Sequence, residues 1–469
     1  MTALNEACLD ELGAVLGAAG LLLGDEVEDR YSQAWFGRGH GTPRPPAVAR
    51  PRDTGQVARV LEVCHRHGCP VTVQGGMTGL SGAALPGAGE LVLSLECLRG
   101  IEEIDADAAT MTVLAGTPLQ EAQQAAAQRG FLLAIDLGAR GSCHVAGNVA
   151  TNAGGNRVIR YGMARQQVLG LEVVLADGRI LRSLNKMLKN NAGYDLKQLF
   201  IGSEGTLGVI TRVVFRLEPL PQVAQTALCA VGSYRQVVDL LRHAQRQLFG
   251  RLSAFEVMWA DFYHLATQRL PGNRTPLPLG SPFYVLLDLQ GCDAEADAAS
   301  FEAMLASASE QGLLEDAVIA HSVAETEALW KLRDAPASFN LVWPILSAFD
   351  VSLPIGRIGE YVQALSQRLQ VLLPGCECVH FGHIGDSNLH VCVHVPGATP
   401  QTFPEAAIKD CLYGLLRDYG GSVSAEHGIG RDKRGYLGHS RTPEEIGLMH
   451  TLKLAFDPKG ILNPGRVLP

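Results

Sequence analysis

No segment of this sequence runs for 18 uninterrupted apolar residues, so nothing in it reads as a membrane-spanning helix. Positive charge is in short supply: 39 Lys and Arg face 48 Asp and Glu, for a formal net charge of −9. Tracking a phosphate backbone takes a basic face, so nucleic acid is not an expected partner; small anions, which a few local cations can hold, remain open. The opening MTALNEACLDELG has neither a basic n-region nor an apolar h-region, and no secretory signal is expected. Internal repeats, low-complexity tracts and charge blocks are missing too, and 47% of residues are hydrophobic, a globular composition. The 11 cysteines are odd in number and lack framework spacing, which points to reduced thiols and a cytoplasmic location.

What is present begins with length. A chain of 469 residues predicts two or three domains. Cys64, His65, His67 and Cys69 could be read as a metal knuckle. However, Val57, Val60, Leu61 and Cys64 follow helical spacing and Gly68 sits where a helix would stop, so a helix terminus is the reading adopted. That helix would start at Asp53 or Thr54, with strands at Pro70–Gln74 and Leu91–Leu95 after it. Thr117-Pro118-Leu119-Gln120 has the form of a capping box with Pro at the first helical position. Leu171–Ala176 and Arg179–Arg182 flank Asp177-Gly178 as a hairpin, and Val209–Leu217 reads as a strand. Beyond Pro219 and Pro221, strands and helices follow a β-α-β-β-α-β order that suggests a ferredoxin-like unit. A helix near Glu325–Leu341, a strand Ala348–Pro354, a helix near Ile358–Leu372 and a helix near Pro404–Tyr419 are expected further on.

Two stretches carry chemistry. The first, Gly75-Gly76-Met77-Thr78-Gly79-Leu80-Ser81-Gly82, could aim consecutive backbone N–H groups at one anion, a pyrophosphate being the natural guest; it could also be a glycine-rich surface turn. It does not open a helix and so is not the dinucleotide fingerprint G-x-G-x-x-G; the string from Gly37 to Gly41 follows no strand and reads as a loop. The second runs from His380 to His390. Gly385 and Asp386 favour a turn, so His383 and His390 could face each other and, with a carboxylate such as Glu426, hold a divalent metal.

Further segments extend the first stretch: Asp136-Leu137-Gly138 leading into Gly141–Gly155, then Gly170–Gly178, Tyr194-Asp195-Leu196 with Leu199–Thr211, and Phe456–Gly465. Taken in order, they strongly resemble the vanillyl-alcohol-oxidase-type FAD family, and within it the branch of D-lactate, D-2-hydroxyglutarate and glycolate dehydrogenases. The resemblance implies an α+β architecture: a two-subdomain FAD-binding fold, an antiparallel-sheet, ferredoxin-like substrate domain and a C-terminal tail returning to the flavin. The corresponding divisions are an N-terminal helical segment 1–43, an FAD-binding domain 44–220, a substrate and metal domain 221–420 and a closing segment 421–469.

By the same resemblance, Gly75, Gly76, Met77, Thr78, Gly79, Leu80 and Ser81 hold the pyrophosphate, and Gln74 belongs to the cofactor site. Asp136, Leu137, Gly138, Ser142, Gly147, Asn148, Thr151, Asn152, Gly154 and Gly155 line the flavin and its chain. Glu204, Gly205, Gly208, Val209 and Ile210 complete that site, and Asn463 approaches the ring. The first loop lacks the histidine through which some relatives attach flavin, so noncovalent FAD is expected; His144 is a weaker candidate for attachment. His383, His390 and Glu426 match the family's metal ligands, with zinc favoured over manganese or iron, and His427 matches its catalytic histidine. Arg333 and Asn388 match substrate-binding positions, and His380 and His394 are taken as structural.

The implied reaction is oxidation of a small D-2-hydroxy acid, with electrons passed to an electron-transfer flavoprotein, quinone or cytochrome; a homodimer is left open. D-2-hydroxyglutarate dehydrogenases carry Thr where this chain has Ala337 and Lys where it has Ala348, which favours a D-lactate-like monocarboxylate over the diacid. Trp343, Pro344 and Phe349 would then give an uncharged substrate apolar neighbours. D-2-hydroxyglutarate dehydrogenase and the FAD subunit of a glycolate oxidase complex are the alternatives within this branch. A metal-dependent hydrolase would leave the glycine loops unexplained, and an electron-transfer subunit would have no use for His427 and Arg333.

Overall fold

The computed structural model describes residues 4–33 and 41–469, so the glycine string from Gly37 lies outside the described residues as far as His40. The chain divides into two compact units, one of 1–155, 162–220 and 426–469, the other of 156–161 and 221–425.

The first unit holds two larger sheets. One has four strands in the order Leu21–Leu23, Ala47–Ala49, Leu91–Ser94, Val71–Gln74, the last three parallel. The helix Thr54–His67 buries Val57, Val60, Leu61 and Cys64 in the core. Its ends follow the sequence signals. Asp53 accepts a hydrogen bond from Gln56 N, and Gly68 turns left-handed at φ 65°. Cys64 and Cys69 are therefore core residues at a helix end, and His67 pairs with Glu11 at 2.9 Å. The second sheet is antiparallel, in the order Ile101–Asp105, Thr110–Leu114, Val209–Arg216, Val168–Val174, Ile180–Ser183, and its last two strands form the expected hairpin. One local expectation fails. Thr117 does not cap the helix Leu119–Ala127; its hydroxyl donates to Gly100 O at 3.1 Å and accepts from Gly100 N at 2.9 Å, and Pro118 occupies the cap position. A distant backbone outcompetes the local N–H groups for the hydroxyl.

The second unit is built on one seven-stranded sheet. Val223–Val231, Leu252–Trp259, Phe283–Gly291 and Asp316–Ile319 lie in the spatial order fourth, first, third, second, with the helices Tyr234–Leu248 and Ala294–Glu310 as connections. That antiparallel arrangement is the ferredoxin-like unit. Glu377–Gly382, Asn388–His394 and Ser347–Ser352 extend it beyond Leu252–Trp259. The helix Tyr234–Leu248 buries Val237, Leu240, Leu241, Ala244 and Leu248, each large apolar side chain contributing about 1.5–3 kcal/mol. The single helix expected to end near Leu341 is instead an α-helix, Val323–Arg333, followed by a 3₁₀ segment, Ala335–Leu341. Pro336 has no N–H to continue the helix and disfavours helical backbone at the residue before it. The break leaves Arg333 in the last helical turn.

Candidate active site

In the first unit, the loop after Val71–Gln74 and the segment before the helix Val145–Ala150 meet at van der Waals limits. A Cβ on Gly76 would lie 1.9 Å from Ser142 O, and one on Gly155 would lie 1.8 Å from Asp136 O, so only glycine allows these backbones to approach. Asp136 and Gly155 form an isolated bridge there. Met77, Asn152, Glu204 and Asn463 all take left-handed backbone with φ between 42° and 56°, a conformation rare outside glycine and held here by tertiary contacts. A cavity of about 430 Å³ is lined by Tyr31, Gln74, Gly75, Gly76, Ser142 and His144, among others.

Several buried polar atoms in this region have no partner among the described residues: Gln74 Oε1, His144 Nδ1 and Asn148 Oδ1. Native proteins seldom leave such atoms unsatisfied, and their clustering among glycine-rich backbone fits a polar cofactor such as FAD. Burial pushes the His144 pKa down, so its imidazole is neutral. Asn463 joins the C-terminal segment to the rest of this unit, accepting from Val73 N at 2.8 Å and donating to Glu204 O at 2.6 Å. Burial pushes the Glu204 pKa up, although its carboxylate accepts from Ile429 N at 2.7 Å and Gly430 N at 2.8 Å. Glu426 accepts from Gly155 N at 2.7 Å. Glu426 and His427 lie in a bend rather than a strand, and Gly428 turns with φ 79°, so adjacent residues need not point to opposite faces. Thr78, Gly79, Leu80 and Ser81 continue the first loop without opening a helix, and Ser81 O accepts from Arg431 N and Asp432 N. Leu137 and Gly138 follow Asp136, Gly147 and Thr151 sit in or just after the helix Val145–Ala150, and Gly154 precedes Gly155. Gly205 abuts Asn463, and Gly208, Val209 and Ile210 lead into the strand Val209–Arg216.

In the second unit, His383 and His390 flank the turn of the hairpin formed by Glu377–Gly382 and Asn388–His394, their rings 5.3 Å apart and edge to face. Ile384–Asp386 form a 3₁₀ turn and Ser387 closes it with φ 77°. His390 Nδ1 lies 3.9 Å from the buried carboxylate of Asp350, its cross-strand neighbour. Arg333 donates from Nε to Glu256 at 2.7 Å and from Nη2 to His383 Nε2 at 2.9 Å. Its helix is pinned one turn earlier, where Trp330 Nε1 donates to Asp288 at 3.2 Å and Asp288 pairs with Arg157 at 2.8 Å. Asn388 is 3% exposed, and neither its amide oxygen nor its amide nitrogen has a partner among the described residues.

Sequence reasoning missed Glu256. It is 1% exposed and accepts from His383 Nδ1–H at 2.7 Å. Burial opposes its charge, but the neighbouring His383 and the Arg333 cation outweigh that cost and bring its pKa down to about 2. A carboxylate can only accept, so His383 Nδ1 carries a proton, which makes Nε2 the nitrogen that could ligate a metal. The sequence signal was a lone acidic residue inside the otherwise apolar run Ala254–Met258. Changing Glu256 to Gln should weaken divalent-metal affinity by about 10–100-fold, read by competition with a chromophoric chelator, with flavin content unchanged. Equal affinity in the two proteins would remove Glu256 from this role.

Two of the three apolar neighbours expected around the substrate, Trp343 and Phe349, are core instead. Trp343 is 1% exposed, stacks on His394 and donates from Nε1 to Glu377 at 2.8 Å, so it is core. Phe349 packs edge-on against Tyr413, on the face of its strand opposite Ala348 and Asp350.

Residues 45–183 match the model of an FAD binding domain, and residues 220–467 match that of the FAD linked oxidases, C-terminal domain. The chain is 40% identical to mitochondrial D-2-hydroxyglutarate dehydrogenase of Bos taurus over 90% of this chain and 76% of that one. It is 38% identical to D-2-hydroxyglutarate dehydrogenase of Xanthomonas citri over 94% of this chain and 92% of that one. The structure of p-cresol methylhydroxylase with substrate bound superposes with a TM-score of 0.76 at 16% identity, covering 98% of this chain and 96% of that one, which establishes the vanillyl-alcohol-oxidase-type fold. The protein is thus an FAD-linked flavoprotein dehydrogenase with an α+β, two-part architecture. It belongs to the FAD-linked D-2-hydroxy acid dehydrogenase family.

Proposed function

We propose that the protein oxidises a D-2-hydroxy acid to the 2-oxo acid and prefers a monocarboxylate of the D-lactate type. The observation that carries this reading is the Arg333–Glu256–His383 cluster, which fixes a guanidinium beside an imidazole and near the orphaned carboxamide of Asn388's hairpin. A planar, permanently charged fork suits the substrate carboxylate, and the Asn388 amide offers a donor and an acceptor. His427 takes the hydroxyl proton on an imidazole whose ordinary pKa lies near the working pH. His383, His390 and Glu426 would hold a divalent metal, zinc favoured, supplying Lewis acidity to the hydroxyl; two imidazoles and a carboxylate are a fitting donor set. Bound FAD supplies the two-electron acceptor for the hydride at Cα, which no side chain can provide.

The choice of monocarboxylate rests on Ala348. It is exposed and shares a strand face with Asp350, one cross-strand pair away from His390, and it brings no cation for a second carboxylate. A second carboxylate placed there gains no ion pair from this position. D-2-hydroxyglutarate is the second reading, favoured by the names of the relatives. Turnover of a panel of D- and L-2-hydroxy acids with an artificial electron acceptor tests both. D-lactate or a longer apolar homologue should show the higher kcat/KM, and Ala348→Lys should move the ratio toward the diacid; a wild-type preference for D-2-hydroxyglutarate overturns the first reading. Activity of the isolated chain also speaks against a dependent subunit of a larger complex.

The flavin is held noncovalently in this proposal, because the first loop offers no histidine for attachment. Acid precipitation should leave yellow flavin in the supernatant; colour in the pellet contradicts it, with His144 then the residue to map. The 11 free cysteines support a cytoplasmic location.

A further inference from the structure

A second acid–base constellation lies in the unit of residues 221–425, and the dehydrogenase chemistry does not use it. Cys378 and His380 stand two apart on the strand Glu377–Gly382 and so share a face. Phe381, whose ring contacts those of His390 at 5.0 Å and the Arg333 guanidinium at 5.7 Å, projects from the other face. Cys378 Sγ lies 3.5 Å from His380 Nε2, and His380 Nδ1 lies 2.9 Å from Asp261 Oδ2, at the start of the helix Ala260–His264. Thiol and carboxylate address opposite nitrogens of one ring, an arrangement for moving a proton rather than for chelating an ion.

The His380 side chain is 3% exposed, the Asp261 side chain is 37% exposed, and Cys378 is half-buried. Burial alone would strip His380 of charge, but Cys378 and Asp261 on either side outweigh it and its pKa is pushed up to about 10. The neighbouring groups that feel Cys378 are Cys376, Cys392 on the next strand and Tyr361 from the helix Ile358–Leu372; burial pushes each of them up, and they stay protonated at neutral pH. Cys411 is raised by burial as well.

We propose that Cys378, His380 and Asp261 form a reactive-thiol centre, a site of covalent modification by small electrophiles and hydroperoxides that is separate from the dehydrogenase site. His380 Nε2 holds the proton that Cys378 gives up, leaving the sulfur as thiolate, and Asp261 stabilises the imidazolium through Nδ1–H. With a hydroperoxide, the thiolate sulfur attacks the terminal oxygen. An S–O bond forms as the O–O bond breaks, and sulfur is oxidised by two electrons to the sulfenic acid. The leaving alkoxide or hydroxide takes the proton from His380 Nε2 and departs as alcohol or water.

The test is a brief pulse of limiting iodoacetamide on the flavin-loaded protein at pH 7, with alkylation of each of the 11 cysteines followed by peptide mass spectrometry. Cys97 and Cys292 are exposed and serve as ordinary thiols in the same sample. Cys378 should react about 10-fold faster than either despite its lower exposure, and His380→Gln or the milder, partly exposed Asp261→Asn should slow it. A hydroperoxide followed by dimedone should tag Cys378 first, and Cys378→Ser should lose the tag while retaining dehydrogenase turnover. Reaction at Cys378 no faster than at Cys97 and Cys292, or a rate untouched by both substitutions, overturns the proposal.

Discussion

Replacing His427 by Ala should lower kcat by about 10²–10⁴-fold while the protein retains its flavin, the range general-base catalysis contributes. The residue is well placed to be removed cleanly. On one side, Glu426 accepts from Gly155 N at 2.7 Å; on the other, Ile429 and Gly430 donate to Glu204 at 2.7 and 2.8 Å. The backbone on both sides is therefore tied down by groups other than the imidazole. Loss of the ring should cost proton abstraction more than folding, and thermal unfolding and the bound-flavin spectrum should stay near those of the parent. Pre-steady-state flavin reduction by substrate is the measurement, since it isolates the oxidative half-reaction. A rate within 10-fold of the parent would assign the base elsewhere.

The second large effect is loss of metal. Treatment with a strong chelator should bring turnover to background with flavin still bound, and a divalent ion, zinc before manganese or iron, should restore it. The reason lies in the acid–base match. An aliphatic hydroxyl has a pKa far above that of an imidazole, so His427 alone faces a steep uphill proton transfer. His390→Ala should behave as the chelated protein does, and added metal should fail to rescue it. Full activity in protein shown by elemental analysis to be metal-free would dismiss His383, His390 and Glu426 as ligands. Together with Glu256→Gln, which should retain turnover at saturating metal but need more of it, the series separates a ligand from the group that orients a ligand.

Much of the local structure was legible because its causes are local. Asp53 and Gly68 bracket their helix, Asp177-Gly178 turns its hairpin, and Gly385 and Asp386 bring His383 and His390 to the ends of adjacent strands. The glycine loops were legible as a cofactor cradle through resemblance rather than through spacing. Local form also misled. Thr117 has the sequence of a cap but spends its hydroxyl on Gly100, and Pro336 cut a helix that periodicity alone would have continued.

The sequence by itself determined the family, the α+β class, the order of the ferredoxin-like strands and the residue types available for chemistry. Tertiary structure decided which groups meet. Glu256 reaches His383 across a separation of 127 residues, and the tautomer of that imidazole depends on the meeting. Gly76 is required because Ser142 O occupies the space of its Cβ, Phe349 is core because the pleat turns it from the face that carries Ala348 and Asp350, and Trp343 is core where it stacks on His394. Each of these rests on a contact between residues distant in sequence, set when sheets close and loops interlock. Periodicity, capping and turn propensity act over a few residues and carry no information about such contacts.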